Sequence, residues 1–285
     1  MAEISLSGKI ALVTGASRGI GKGIALGLGE VGATVIVTGR TVLEGTAHSK
    51  LPGTVKATAK AVDKIGGRGI GIECDHTDDE QTRAVFARIL REFGQLDVLV
   101  NNVWGGYEHF TDGTRFWEEG GFWDMPMSRW SKQFESGVRA HFVCSQLAVP
   151  MMIEKSKGLI VNISFWAAQQ PGMGDPAYCA AKAADDAMAR SMAHHLRKHN
   201  IAVVSLYPGL VRTESVLANE AHFDLSNSES PQYIGRAIAA LARDERVMVH
   251  SGRILVAAQL GRDYGFTDID GKQPRPVEPS PITQA

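Results

Sequence analysis

Tyr178 and Lys182 stand four residues apart in the run Tyr178-Cys179-Ala180-Ala181-Lys182. On a helix that spacing puts both side chains on one face, so a phenol and an ammonium point into the same cleft. A phenol titrates at about 10 when unperturbed, and a neighbouring positive charge favours its phenolate. Such a tyrosine can take the proton of an alcohol under oxidation, or protonate a carbonyl oxygen as hydride reaches the carbon. The pair is common by chance, and its bland counterpart is an exposed tyrosine beside an exposed lysine. The pair lies downstream of the run Val161-Asn162-Ile163-Ser164. Ser164 brings a hydroxyl to that region and is the candidate third catalytic residue.

Hydride chemistry needs a carrier, and the start of the chain offers a place for one. Thr14-Gly15-Ala16-Ser17-Arg18-Gly19-Ile20-Gly21 follows an apolar run and opens a helical stretch. Gly15 permits a tight turn, Gly19 lets backbone approach a pyrophosphate, and Gly21 lets the helix pack closely on the sheet. Exposed N–H groups and the helix dipole favour the phosphate charge. The candidate cofactor contacts here are Gly15, Ser17, Arg18, Gly19, Ile20 and Gly21. Their spacing is G-x-x-x-G-x-G rather than the commoner G-x-G-x-x-G.

The elements that must position these groups recur as a rhythm. Short apolar runs at 10–14, 34–38, 69–73, 96–100, 159–164, 201–206 and 253–257 read as strands. Amphipathic stretches at 21–31, 55–65, 79–93, 129–152, 178–199 and 231–243 read as helices. This alternation predicts an α/β fold, a single doubly wound Rossmann-type domain with a mainly seven-stranded parallel sheet. Right-handed crossovers then put every strand's C-terminus on one edge, where ligands bind. The domain is expected over 1–265, with a proline-rich tail over 266–285. Two segments interrupt the rhythm: an aromatic insertion at 104–128 and a stretch at 215–230. So many aromatics argue against disorder, and a connection that long is usually functional. Trp104 and Tyr107 are expected to wall an apolar substrate pocket with Phe165.

The glycine turn resembles the T-G-x-x-x-G-x-G signature of the short-chain dehydrogenase/reductase family, and the similarity runs from about Gly8 to Gly265. The resemblance implies that Asp75 holds the adenine. Asn101-Asn102-Val103 replaces the usual N-N-A-G and brings Asn102 to the cofactor. Pro208, Gly209, Val211 and Thr213 match the P-G-x-x-x-T segment that holds the nicotinamide carboxamide. Lys182 is implied to bind the nicotinamide ribose, and 215–230 falls where relatives carry a substrate lid. NAD-specific relatives place an aspartate at the end of the second strand. Here Gly39 and Arg40 stand there, with Arg18 in the turn, and two guanidinium groups suit a 2′-phosphate. NADP(H) is therefore expected over NAD(H), although either arginine could be only a solvated surface residue.

Two positions depart from the family. The residue thirteen before Tyr178, usually the catalytic serine, is Phe165, and Ser164 is its hydroxyl-bearing neighbour. Seven residues after Trp130, where relatives carry an asparagine that anchors a proton-relay water, stands Gly137. These departures, the aromatic insertion and the ending Asp263-Tyr264-Gly265 with Asp268-Ile269-Asp270-Gly271 resemble the branch typified by dehydrogenase/reductase SDR family member 1. That resemblance implies a carbonyl reductase preferring NADPH. The hydrophobic C-terminal extension of the branch's animal members has no counterpart here, so no membrane association is carried over.

The totals exclude other classes. A net charge of −1 gives no electrostatic case for nucleic acid or an anionic membrane surface. Cys74, Cys144 and Cys179 form no CxxC pair, so neither a disulfide frame nor a metal site is expected. No run of 18 apolar residues occurs, and a cytoplasmic location is expected. His194, His195 and His199 read as a solvated helix end, and His141 as a packing or interface residue rather than a catalyst. The leading expectation is an NADPH-dependent reductase of a small-molecule ketone or aldehyde. A dehydratase or epimerase on the same fold lacks positive support, and a non-catalytic NADP(H)-binding sensor or scaffold is the alternative. A homodimer or homotetramer is usual for the family.

Overall fold

The computed structural model describes residues 5–47, 51–106, 121–170 and 172–277. Seven strands form one parallel sheet: β1 (Ile10–Val13), β2 (Thr34–Gly39), β3 (Arg68–Glu73), β4 (Val98–Asn101), β5 (Gly158–Ile163), β6 (Ile201–Tyr207) and β7 (Ile254–Val256). Their order is β3-β2-β1-β4-β5-β6-β7, all pairs parallel. The order reverses between β1 and β4, and in doubly wound sheets the crevice beyond the strand ends opens there.

Alternation along the strands explains the layers. Ala11 and Val13 of β1 join a core with α1 (Gly19–Gly29), α2 (Val55–Lys64), α8 (Pro231–Arg243) and α9 (Ala257–Tyr264). Ile10 and Leu12 face the other way, into a core with α3 (Asp79–Phe93), α5 (Ala140–Lys155) and α6 (Pro176–Leu196). Helices on both faces are why β1, β4, β5 and β6 are buried at every position. The helix starts carry recognisable signals. Asp78 caps α3 through the Glu80 and Gln81 amides, and Asp175 and Ser230 each precede a first-turn proline.

Several element boundaries differ from the sequence reading, and three of the differences have a visible cause. The single helix expected over 129–152 is α4 (Met127–Gln133), a π-helical turn (Phe134–Arg139) and α5 in succession. The strand expected to run to 257 stops at Val256, and α9 follows at once because Ala257, Ala258, Leu260 and Gly261 share a buried face. Finally, β4 starts at Val98 because the carboxylate of Asp97 is bound to the Ile10 amide and Lys9 Nζ, both 2.9 Å away.

Residues 266–277 carry no helix or strand, yet they are fastened to the domain. Buried Asp268 accepts from the Ser230 amide (2.8 Å) and Arg212 Nη2 (3.0 Å). Asn227 exchanges two hydrogen bonds with the backbone of Arg275. Among the described residues no helix is long and apolar enough to cross a membrane.

Candidate active site

The glycine turn is bolted to the end of β4. Thr14 Oγ1 accepts from the amides of Asn102 (2.9 Å) and Val103 (3.0 Å), while Asn102 Nδ2 donates to the carbonyls of Thr14 and Gly15. Gly15 has φ +64°, and a β-carbon there would lie 2.7 Å from Val103 Cα, so only glycine fits. A β-carbon at Gly21 would meet Gly15 O and Asn102 Nδ2 at 2.5 Å, and this contact brings α1 close to the strand end.

The N-terminus of α1 already holds an anion. The Gly19 amide donates to Glu214 Oε2 at 2.9 Å. The amides and dipole of a helix N-terminus suit an anion such as the pyrophosphate of a dinucleotide. Arg18 donates to the carbonyls of Pro52 (3.0 Å) and Gly53 (2.6 Å). Burial lowers its pKa, Glu214 and Glu44 oppose that, and the charge of Arg40 adds to it, so the two guanidiniums lie within electrostatic reach. Arg40 is 3.9 Å from Asp75 Oδ2 at the end of β2, while Asp75 Oδ1 accepts from the amide and hydroxyl of Thr77.

The segment after β6 closes over this turn. Thr213 caps α7 (Glu214–Leu217) and approaches Gly19, with Thr213 Cγ2 3.7 Å from where a β-carbon would be. Val211 bridges Glu229, and the Gly209 amide donates to Glu229 Oε2 at 2.7 Å. Burial pushes the Glu229 carboxyl up to about 7 against that hydrogen bond. A cavity of about 310 Å³ lies between this segment, α1 and the start of α8, lined by Gly19, Lys22, Arg212, Glu214, Ser230 and Ile269 among others. Pro208, at the end of β6, is buried.

Tyr178 and Lys182 lie on the first two turns of α6. Asp175 fixes that end: Oδ1 accepts from the Tyr178 amide at 3.0 Å, and Oδ2 takes Nε (2.9 Å) and Nη2 (2.7 Å) of Arg129. This ion pair is almost wholly buried, and Arg129 Nη1 also donates to Gly106 O. Lys182 is buried too. Its Nζ donates to Ile163 O at 2.9 Å, lies 3.5 Å from Asp185 Oδ2, and stands 3.7 Å from the ring centroid of Trp104. Burial lowers its pKa, and Asp185 and Asp186 act in the opposite sense. The Trp104 ring also meets Tyr178 edge to face, with centroids 5.4 Å apart, and Phe165 lies 6.4 Å from the same phenol. Tyr178, Lys182, Trp104 and Phe165 thus come together as expected neighbours. Tyr107 lies outside the described residues.

Ser164 is 2% exposed, and its hydroxyl donates to Lys182 O at 3.2 Å and lies within hydrogen-bonding reach of Asp186 and Tyr207. Adjacent residues on an extended chain face opposite ways, and here Phe165 takes the cleft side.

The structure gives Gly137 and His141 partners that the sequence did not show. A β-carbon on Gly137, in the π-helical turn, would lie 2.4 Å from Trp104 Cζ3. The indole therefore fills the space that an asparagine side chain would need. One turn later His141 is buried, with Nδ1 2.8 Å from Asp185 Oδ1 and Nε2 2.9 Å from Val103 O. The ring thus links the β4 end, through the Val103 carbonyl, to the Asp185 carboxylate of α6. The Asp175-Pro176 cap signature could have been read from sequence, whereas no local signal announces Glu214 or the His141–Asp185 pair. Among the described residues no group of side chains could hold a metal ion.

Comparisons with known proteins agree with this architecture. A family model described as short chain dehydrogenase matches residues 9–222. Dehydrogenase/reductase SDR family member 1 of Mus musculus is 38% identical, over 96% of this chain and 86% of that protein. A crystal structure of 7α-hydroxysteroid dehydrogenase complexed with NADH and 7-oxo glycochenodeoxycholic acid superimposes with a TM-score of 0.72. It is 26% identical, over 95% of this chain and 96% of that one. A metagenomic short-chain oxidoreductase in complex with NADP gives 0.69 at 29% identity, over 88% of this chain and 97% of that one. By its strand order, its glycine turn and these matches, the chain belongs to the short-chain dehydrogenase/reductase family of oxidoreductases.

Proposed function

We propose that the protein is an NADPH-dependent oxidoreductase that reduces a ketone or aldehyde to an alcohol, with Tyr178 as general acid/base and Lys182 as its electrostatic partner. The observation that carries this reading is the pairing of the two side chains on α6, joined by one indole to the strand end that also fastens the glycine turn. The nicotinamide supplies the hydride when it is bound. Tyr178 then gives its proton to the carbonyl oxygen as negative charge develops there, and recovers a proton afterwards from solvent. Lys182, charged and close, stabilises the phenolate left behind. Trp104 and Phe165 flank the phenol with aromatic surface, which suits a fairly apolar substrate and limits water at the reacting carbon. The stretch 215–230, with Glu214 at its root, acts as the lid.

The preference for the phosphorylated cofactor rests on Arg18 and Arg40. They are close enough to repel, and Gly39 puts no carboxylate at the ribose hydroxyls. A non-catalytic sensor has one feature in its favour, the burial of Ser164. The test that separates the two is NADPH oxidation against aromatic ketones, quinones, steroids and aldehydes, with Tyr178→Phe alongside. Turnover that falls by about two to four powers of ten in the variant supports the reductase. Turnover that survives unchanged removes Tyr178 from its role, and tight NADPH binding without any turnover favours the sensor.

A further inference from the structure

We propose that Trp104, Asp185 and His141 form a positioning unit that holds Lys182 charged beside Tyr178, in the space where relatives place an asparagine and its water. The inference rests on the reading of Tyr178 and Lys182 as the reacting pair.

The need for such a unit follows from burial. An ammonium removed from water is driven towards its neutral form, and a neutral lysine would no longer draw the neighbouring phenol towards phenolate. Three groups oppose that loss. Ile163 O takes one N–H at 2.9 Å, Asp185 supplies a counter-charge at 3.5 Å, and the indole face of Trp104 lies 3.7 Å from the nitrogen. An aromatic face attracts a cation most strongly where water is excluded. The same ring touches Tyr178 with its edge, so one rigid side chain sets the relative position of ammonium and phenol.

Asp185 in turn needs an anchor, because a buried carboxylate with a loose rotamer would be a poor counter-charge. His141 supplies it. The ring binds Asp185 Oδ1 through Nδ1, and its Nε2 binds the carbonyl of Val103, the residue just before Trp104. The unit is therefore a closed circuit. Trp104 leads through the Val103 carbonyl to His141, on to Asp185 and Lys182, and back to the indole. Gly137 leaves room for the ring, and any side chain there would break the circuit sterically.

Other charges face the pair from every side, and the test must hold them constant. Asp186 lies on the same helix and is bonded to Tyr207 of β6, while Asp175 at the helix start is neutralised by Arg129 of α4. None of these is altered in the variants below.

Phenolate absorbance is titrated in the cofactor-free protein, wild type against Tyr178→Phe, so that the difference isolates Tyr178 among the five tyrosines. The same difference is then taken in Trp104→Leu, Trp104→Phe and Asp185→Asn backgrounds. Trp104→Leu and Asp185→Asn are expected to move the Tyr178 titration up by about one pH unit, whereas Trp104→Phe, which keeps an aromatic face, moves it much less. In the alcohol-oxidising direction the acid limb of the pH profile should shift upward by the same amount, because that direction needs the phenolate. Circular dichroism checks that each variant folds, and Trp104→Phe against Asp185→Asn still decides the matter if Trp104→Leu does not fold. An unchanged titration in both Trp104→Leu and Asp185→Asn, or in Asp185→Asn alone should Trp104→Leu fail to fold, overturns the unit even if turnover falls. Its failure is distinct from failure of the functional reading, which is decided by the turnover of Tyr178→Phe alone.

Discussion

The indole of Trp104 occupies the volume that a β-carbon on residue 137 would need, to within 2.4 Å. The two positions are consequently one steric feature. In a helical turn alanine is normally worth up to about 1 kcal/mol more than glycine, so Gly137→Ala ought to stabilise. With the indole present it should instead destabilise by about 1–3 kcal/mol, the usual cost of overpacking. Denaturant unfolding of Gly137→Ala, Trp104→Ala and the double variant measures the coupling. The sign of the Gly137→Ala effect should reverse once Trp104 is alanine.

Arg18 and Arg40 are expected to set cofactor choice. Hydrogen bonds to a charged group contribute about 1.5–3 kcal/mol, so Arg40→Ala or Arg18→Ala should reduce the NADPH-over-NADH ratio of kcat/KM roughly 10- to 100-fold. The loss should fall on NADPH, with NADH little affected. Equal losses with both cofactors would place the arginines elsewhere than at the 2′-phosphate.

Glu214 is expected to compete with a cofactor pyrophosphate. Its carboxylate accepts the Gly19 N–H at the start of α1, a position suited to an anion. Glu214→Gln removes the charge and keeps the side chain's size. Dinucleotide binding, followed by fluorescence titration, should tighten by about three- to tenfold, in line with the 0.3–1 kcal/mol typical of a charge at a helix end plus relief of repulsion between carboxylate and phosphate.

Glu229 gives the fold a pH dependence of known sign. Its carboxyl sits at about 7 in the folded chain, raised by burial from the ordinary 4.5. The group therefore favours the folded state fully below about 4.5, and that contribution is lost as the pH rises to about 7. At 1.36 kcal/mol per unit the loss is on the order of 3 kcal/mol. Glu229→Gln keeps an acceptor for the Gly209 amide and removes the titration. The difference in stability between wild type and variant should grow across pH 5 to 7 in favour of the variant and level off above about 8. A difference that is flat with pH would put the carboxyl's titration elsewhere.

Much of this molecule was legible before its structure. The seven strands could be read because helices cover both sheet faces, which makes the central strands apolar without interruption. The glycine turn and the Tyr178–Lys182 pair could be read because their geometry is local, fixed by spacing within one turn or one helix. What escaped was set by contacts between distant segments. Ser164 and Phe165 are one residue apart, and which of them reaches the cleft depends on how β5 ends against α6. The long helix expected after Trp130 contains a π-helical turn beside Gly137, where the Trp104 ring presses from another element. Glu214 at Gly19 joins positions 195 residues apart, and His141 with Asp185 joins positions 44 apart. No periodicity or local motif carries that information.

The contact between Trp104 and residue 137 also ties two distant stretches of the chain to one another's size. A larger residue at 137 is penalised as long as the indole is present, and a smaller residue at 104 leaves a void as long as 137 is glycine. Exchange at either position alone therefore carries a cost that a paired exchange avoids.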